Sequence, residues 1–311
     1  MAKKIEKGIP WILVAIISIM IVCGAGMVLK EAIAASITPS VTVGNSAPSV
    51  GTVILNSNAA ITVVENTSTL ISGTTTITDD NGYGDITSVT STLFLNNTST
   101  ACGSVAASNP NWCYYISNGT ANGTCVTSSC TGLNCVVTCS AYVWFLAEPT
   151  TPTTSYSGKQ WQMSITAKDA YGSTSVSGTT GQALNTLYSF DLGSTIAYGT
   201  VAVGATSNQQ TVNATNTGNF AIDFQMSGVN MTSTANTIAV GQQHYSSTTG
   251  FQYASGITLT TSAVSFNVDM QKSTATSTPT GELVYWMIQI PTSTTYGTYT
   301  GTNTTVARDA M

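Results

Sequence analysis

The residues in this sequence that can do chemistry are few, and the densest group of them is acidic. Thr78-Asp-Asp-Asn-Gly-Tyr-Gly-Asp-Ile sets Asp79, Asn81 and Asp85 at alternate positions of one turn-rich stretch, with Glu65 and Asp169 as candidates to join them. Hard oxygen ligands in that pattern suit Ca2+, which gathers them from carboxylates, amides and loop carbonyls. Asp, Asn and Gly are equally the ordinary residues of β-turns, where their side chains bond local backbone groups. The stretch does not fit an EF-hand loop. The expectation is therefore a structural Ca2+ at most, and no organic cofactor.

Sulfur is the second resource. Six of the 7 cysteines, Cys102, Cys113, Cys125, Cys130, Cys135 and Cys139, fall within one 38-residue stretch. An even number in an exported chain reads as disulfides. Cys130 and Cys135 flank the plausible turn Thr131-Gly-Leu-Asn134, and Cys125 and Cys139 are centred almost on the same point. Nested bridges across one hairpin would leave Cys102 to pair with Cys113, although spacing alone leaves the connectivity open. A zinc site is the rival reading, but no C-x-x-C pair is present. Trp112, Tyr114 and Tyr115 beside Cys113 form either an exposed platform for a glycan or partner protein or a cover for the small core beneath the loop.

Acid–base catalysis has little to draw on. His244 is the one histidine, in the loop-like segment Gly241-Gln-Gln-His-Tyr-Ser-Ser-Thr-Thr-Gly250, with no acidic neighbour in sequence. A His-centred triad would have to be built on it alone. The acids beyond Ser36 are scattered through turns and nominate no glycosidase pair. No phosphate-binding or dinucleotide loop occurs. The chain is therefore expected not to be an enzyme. N-x-S/T sequons at Asn66, Asn96, Asn97, Asn118, Asn122, Asn213, Asn230 and Asn303 are candidate glycosylation sites, in a chain so rich in Ser and Thr that chance supplies many.

Composition narrows the compartment. Charged residues make up 7% of the 311 residues, against about a quarter in ordinary soluble proteins. Beyond residue 31 the cations are Lys159, Lys168, Lys272 and Arg308, too few to neutralise a run of phosphates, which excludes nucleic acid as a partner. At the N-terminus Lys3, Lys4 and Lys7 precede an apolar run from Ile9 to Leu29. It reads as a cleaved signal with Ala32-x-Ala34 as the small-residue site, as an uncleaved anchor, or as a pilin-type leader cut after Gly8. Leu13 stands where pilin leaders carry Glu, and Val22 before Cys23 argues against lipidation. In all three readings the chain from about residue 36 onward lies outside the cell.

The elements that must position these groups are strands. Trp161, Met163, Ile165 and Ala167 alternate with Gln162, Ser164 and Thr166; Phe220, Ile222, Phe224 and Met226 do the same. So do Val264, Phe266, Val268 and Met270, and Trp286, Ile288 and Ile290. Strands apolar on one face belong to antiparallel sheets packed as sandwiches. The expected organisation is a signal or membrane-anchor helix at 1–35, a polar linker at 36–47, one sandwich at 48–182 carrying the stapled loop 102–139, and a second at 183–311.

Thr78-Asp-Asp-Asn-Gly-Tyr-Gly-Asp-Ile-Thr-Ser-Val89 and Ile165-Thr-Ala-Lys-Asp-Ala-Tyr-Gly172 resemble the B–C and final-strand turns of bacterial and archaeal Ig-like surface domains. Asn213-Ala-Thr-Asn-Thr-Gly-Asn-Phe-Ala-Ile-Asp-Phe224 is similar to the strand-turn-strand "N-x-G-N" of secreted Ig-like domains. The layout is similar to exported Ig-like proteins of unassigned function in small-genome candidate-phylum bacteria. The resemblance implies two Ig-like sandwiches at the cell surface and carries over no catalytic residue. The expected role is structural, as a subunit of a surface layer or filament that self-assembles or binds other surface proteins. The alternatives are an adhesin that meets a glycan or host cell through 102–139, and a pilin-like subunit with its N-terminal helix in the filament core.

Overall fold

A computed structural model describes residues 36–96, 102–177, 180–234 and 236–310; the N-terminal helix expected over 1–35 lies outside them. The described residues hold 19 strands and five short 3-10 turns, and no helix among them is long and apolar enough to cross a membrane. Residues 36–44 carry no regular secondary structure and are exposed. They belong to a unit, Met1–Gly44, separate from the compact unit Asn45–Met311.

Within Asn45–Met311 two hydrophobic cores form. The first lies between two antiparallel sheets. One has the order β1 (Ser49–Val50), β3 (Ser68–Thr78), β7 (Asn134–Trp144), β6 (Gly123–Thr131), with β2 (Ile54–Leu55) also on β3. The other has the order β5 (Cys113–Ile116), β4 (Ser88–Leu95), β8 (Trp161–Lys168), β9 (Ser173–Ser177). Ile71, Ile77, Val137 and Val143 from the first sheet meet Leu93, Leu95, Met163 and Ile165 from the second. β3 is rich in β-branched Thr and Ile, which suit a pleated surface, and it buries every second residue from Ile71 to Ile77. β8 buries every second residue, beginning with Trp161. Burying a side chain of this class contributes about 1.5–3 kcal/mol. The Trp161 indole N–H donates to the Glu148 carbonyl at 3.0 Å, so its polar atom is satisfied.

The chain crosses to the second core over residues 185–189. Leu184 is buried in the first core and Leu187 packs against it, while Phe190 packs against the second. That second core lies between the sheet β10 (Phe190–Leu192), β11 (Gln210–Asn216), β18 (Gly281–Ile288), β15 (Gln243–Ser246), β16 (Ile257–Thr258) and the sheet β17 (Val264–Met270), β12 (Ile222–Gly228), β19 (Asn303–Asp309). A small ribbon, β13 (Met231–Thr232) with β14 (Thr237–Ile238), stands apart.

Polar groups fasten the crossing. Asn216 and Asn219 are fully buried at the β11–β12 turn. The Asn216 amide accepts from Gly218 N–H and donates to the carbonyls of Phe220 and Met270. The Asn219 amide accepts from Leu187 N–H and donates to the Asn185 carbonyl. A Cβ at Gly218 would stand 2.1 Å from the Leu187 carbonyl oxygen, so glycine is required for the turn to approach the crossing. Lys272 completes the junction. Its ammonium reaches Glu148 Oε1 at 2.8 Å, Asn111 Oδ1 at 2.9 Å and the Leu146 carbonyl at 2.9 Å. Burial holds this lysine below its ordinary range, and the Glu148 carboxylate pulls in the opposite direction.

Candidate functional site

The acidic residues gather at one end of the first core. Asp79 follows the last residue of β3, Asp85 closes a 3-10 turn at Tyr83–Asp85, and Asp169 follows the last residue of β8. β4 pairs with β8 from Ser88↔Lys168 onward, which carries Asp169 to the β3–β4 loop from more than 80 residues away in sequence. One carboxylate oxygen from each of Asp79, Asp85 and Asp169 lies within 4.8 Å of the other two. Asp79 and Asp169 are fully buried and Asp85 half-buried.

The surroundings are built from backbone donors. Asp169 Oδ1 accepts from the N–H groups of Tyr171 and Gly172, and its Oδ2 accepts from the Asn45 amide at 3.0 Å. The Asn45 amide and then the Gly172 N–H hold the Asp169 carboxyl below its ordinary value. Asp79 Oδ1 accepts from Asn81 N–H at 2.8 Å, whereas Asp79 Oδ2 is buried without a hydrogen-bond partner. Like charges brought this close repel one another. Among the described residues the ion pair is Lys272–Glu148, so no cationic side chain offsets this repulsion.

Of the five expected ligands, Glu65 is elsewhere, and Asn81 adjoins the cluster through its N–H but commits its amide oxygen to another partner. Glu65 accepts a hydrogen bond from the Ser189 hydroxyl at the crossing between the cores. Asn81 is exposed and turns its amide oxygen to the Ser46 N–H at 2.7 Å. For Glu65 the reason is topological: it precedes β3, at the opposite end of an 11-residue strand from Asp79.

The cysteines pair as Cys102–Cys113, Cys125–Cys139 and Cys130–Cys135. Cys125 and Cys139 are cross-strand partners in β6 and β7, and Cys130–Cys135 closes the hairpin turn. That turn supports the acidic loop directly, since Asp79 N–H donates to the Leu133 carbonyl and Tyr83 N–H to the Gly132 carbonyl.

The three aromatics beside Cys113 do not share an exposed face. Tyr114 lies in the core against Trp161, its hydroxyl donating to the Pro110 carbonyl and accepting from Trp144 N–H. Its burial raises the phenol well above the usual tyrosine range. Tyr115 is half-buried and Trp112 is exposed. Tyr114 is buried because it shares the inner face of β5 with Ile116, while Cys113, also buried, lies on the other face and is bridged to Cys102.

His244 sits in strand β15 and not in a loop. Its Nδ1 lies 2.7 Å from the Tyr253 carbonyl, its Nε2 lies 3.2 Å from the Thr258 hydroxyl, and its ring stacks on Tyr253. Both ring nitrogens are thus engaged by neutral groups, an arrangement that orients the imidazole without activating it. A cavity of about 260 Å3 in the second core has Tyr198, Phe224, Trp286, Gln243 and Asn303 in its wall. The amides of Gln243 and Asn303 bond each other, and the Tyr198 hydroxyl donates to Gln243, so these three polar groups of the wall are engaged with one another. Several sequon asparagines are engaged as well. Asn118 accepts from Cys125 N–H, Asn122 donates to the Tyr115 carbonyl, and Asn230 accepts from Val240 N–H.

No family model matches the chain, and no curated protein matches it. Among solved structures it is similar to one titled BspA_C_WT, at 9% identity and TM-score 0.21, over 80% of this chain and 91% of that one. It is also similar to the C-terminal domain of the Streptococcus pyogenes antigen I/II-family protein AspA, at 10% identity and TM-score 0.21, over 84% of this chain and 95% of that one.

Proposed function

We propose that this chain is exported and serves, without catalysis, as a structural component of the cell surface, a subunit of a surface layer or filament built through β-sandwich contacts. In this reading the two cores are two Ig-like sandwiches, at about 48–182 and 183–311, and residues 1–35 are their signal or anchor. The observation that carries it is the set of three disulfides in one β-rich stretch, downstream of a Lys-flanked apolar run. Such bridges persist in oxidising compartments and are reduced in the cytosol. A charge-poor surface of Thr, Ser and Asn supports assembly, because charges on sheet edges are the usual defence against strand pairing. The adhesin alternative is weakened by the burial of Tyr114, which leaves Trp112 as the exposed aromatic of the three.

Antibodies raised against the folded chain test the location. Immunogold labelling of intact, unpermeabilised source cells is expected to decorate the outer envelope. Labelling that appears only after permeabilisation contradicts export.

A further inference from the structure

We propose that Asp79, Asp85 and Asp169 form a divalent-cation site, selective for Ca2+, that fastens the β3–β4 loop, the turn after β8 and the segment at Asn45–Ser46 to one another. The inference stands apart from the surface role, since it rests on three carboxylates and one orphaned oxygen. Three acids within 4.8 Å would alone be only an acidic cluster. The decisive observation is Asp79 Oδ2, a carboxylate oxygen with no solvent exposure and no hydrogen-bond donor. A buried charged oxygen without a partner is costly, and a cation is the partner that satisfies it and its neighbours together.

The donor set selects the metal class. All candidate ligands are hard oxygens; the six described cysteines are disulfide-bonded, and His244 is occupied in the second core by Tyr253 and Thr258. Calcium–oxygen distances of about 2.3–2.6 Å let two ligands of one ion stand about 5 Å apart, whereas the shorter Mg2+ bonds of about 2.1 Å limit that span to about 4.2 Å. Oxygens within 4.8 Å of one another, two from the β3–β4 loop and one from the turn after β8, can be gathered by the larger, geometrically tolerant ion.

The site has a mechanical consequence. Asn45 donates to Asp169, and Ser46 donates to Asn81 through its N–H and to Asp80 through its hydroxyl. The β6–β7 turn holds the other side of the acidic loop through Leu133 and Gly132. An ion bound by the three aspartates therefore fixes the start of Asn45–Met311 to the body of the first core.

The test uses the full-length chain in mild detergent, stripped with EGTA and titrated with Tb3+ and Ca2+. Tyr83 and Tyr171 each lie two residues from a ligand and can sensitise bound Tb3+. A saturable Tb3+ emission displaced by sub-millimolar to millimolar Ca2+ is expected, with a rise in Tm of roughly 5 °C or more on adding Ca2+. Asp79→Asn should cut the Tb3+ emission about tenfold and abolish the Ca2+ shift in Tm. It should leave the metal-free Tm unchanged or higher, because one like charge has gone. Asp85→Asn serves the same purpose if Asp79→Asn does not fold. Absence of saturable emission, Mg2+ displacing Tb3+ as well as Ca2+ does, or variants that keep the wild-type Ca2+ response would each overturn the proposal.

Discussion

Replacing Gly123 by alanine is expected to destabilise the protein by about 3–5 kcal/mol, the sum of backbone strain and overpacking. Gly123 opens β6 at a φ of +148°, a conformation that L-residues rarely adopt. A Cβ there would stand 1.9 Å from the Ser140 carbonyl oxygen of the neighbouring strand. That oxygen is backbone, fixed by pairing in β7, and cannot rotate aside. The first pairs of the β6–β7 ladder, Gly123↔Ala141 and Thr124↔Ser140, would have to separate, two residues from the Cys125–Cys139 bridge. Gly119→Ala is the control. Its φ of +81° is also left-handed, but a Cβ there meets nothing within 4 Å, so about 1–2 kcal/mol of strain is expected. Urea unfolding of both variants with disulfides intact measures the difference. Equal effects at the two glycines would contradict the close-approach argument.

The second large effect is expected at the junction between the cores. Lys272→Met keeps most of the unbranched apolar stem of the side chain and removes its ammonium group. Glu148 loses its ion-pair partner, and Asn111 Oδ1 and the Leu146 carbonyl each lose a donor. With side chains 17% and 16% exposed, the loss should be about 2–4 kcal/mol, somewhat below that for breaking a fully buried pair. Adding Glu148→Gln to Lys272→Met should recover part of it, because the stranded carboxylate is then neutral. Thermal unfolding of the two single variants and the double variant gives the coupling. A Lys272→Met variant within about 0.5 kcal/mol of wild type, the range of ordinary surface substitutions, would show that the pair does not hold the junction.

Periodicity made much of the fold legible. Trp161–Ala167, Phe224–Met226 and Val284–Ile288 alternate so regularly that their burial in β8, β12 and β18 follows from side-chain type alone. The near-centring of Cys125 and Cys139 on the Cys130–Cys135 turn is likewise a sequence property, but the one-residue bulge between Ser128 and Thr131 that brings the two face to face is not. What the sequence hides is distance. Lys272 and Asn111 stand 161 residues apart, and nothing local to either marks the other. Glu65 and Asp79 are separated by the full length of β3, which no turn motif discloses. Tyr114 is ambiguous for a different reason: β5 is four residues long, too short for a period to be read, and it buries residues on both of its faces. Asp169 occupies the middle ground. Its turn motif was visible, but its union with Asp79 and Asp85 depends on the register of β4 against β8.

The proposed assembly at the cell surface requires a sheet edge that can accept another strand, and β6 is the candidate. β6 lies at the edge of its sheet, carries no charge and no proline over Gly123–Thr131, and leaves Val126 55% exposed. Asn118 caps the Cys125 N–H and a bulge interrupts the strand between Ser128 and Thr131, so the stretch open to a further strand is centred on Val126–Ser128. Negative-stain microscopy of the full-length chain after detergent removal is the direct measurement, made on wild type and on a Val126→Lys/Ser128→Lys variant. Ordered layers or filaments from wild type, with dispersed particles of unchanged Tm from the variant, are the predicted result. Wild-type protein that stays dispersed at high concentration with and without Ca2+ would contradict the claim.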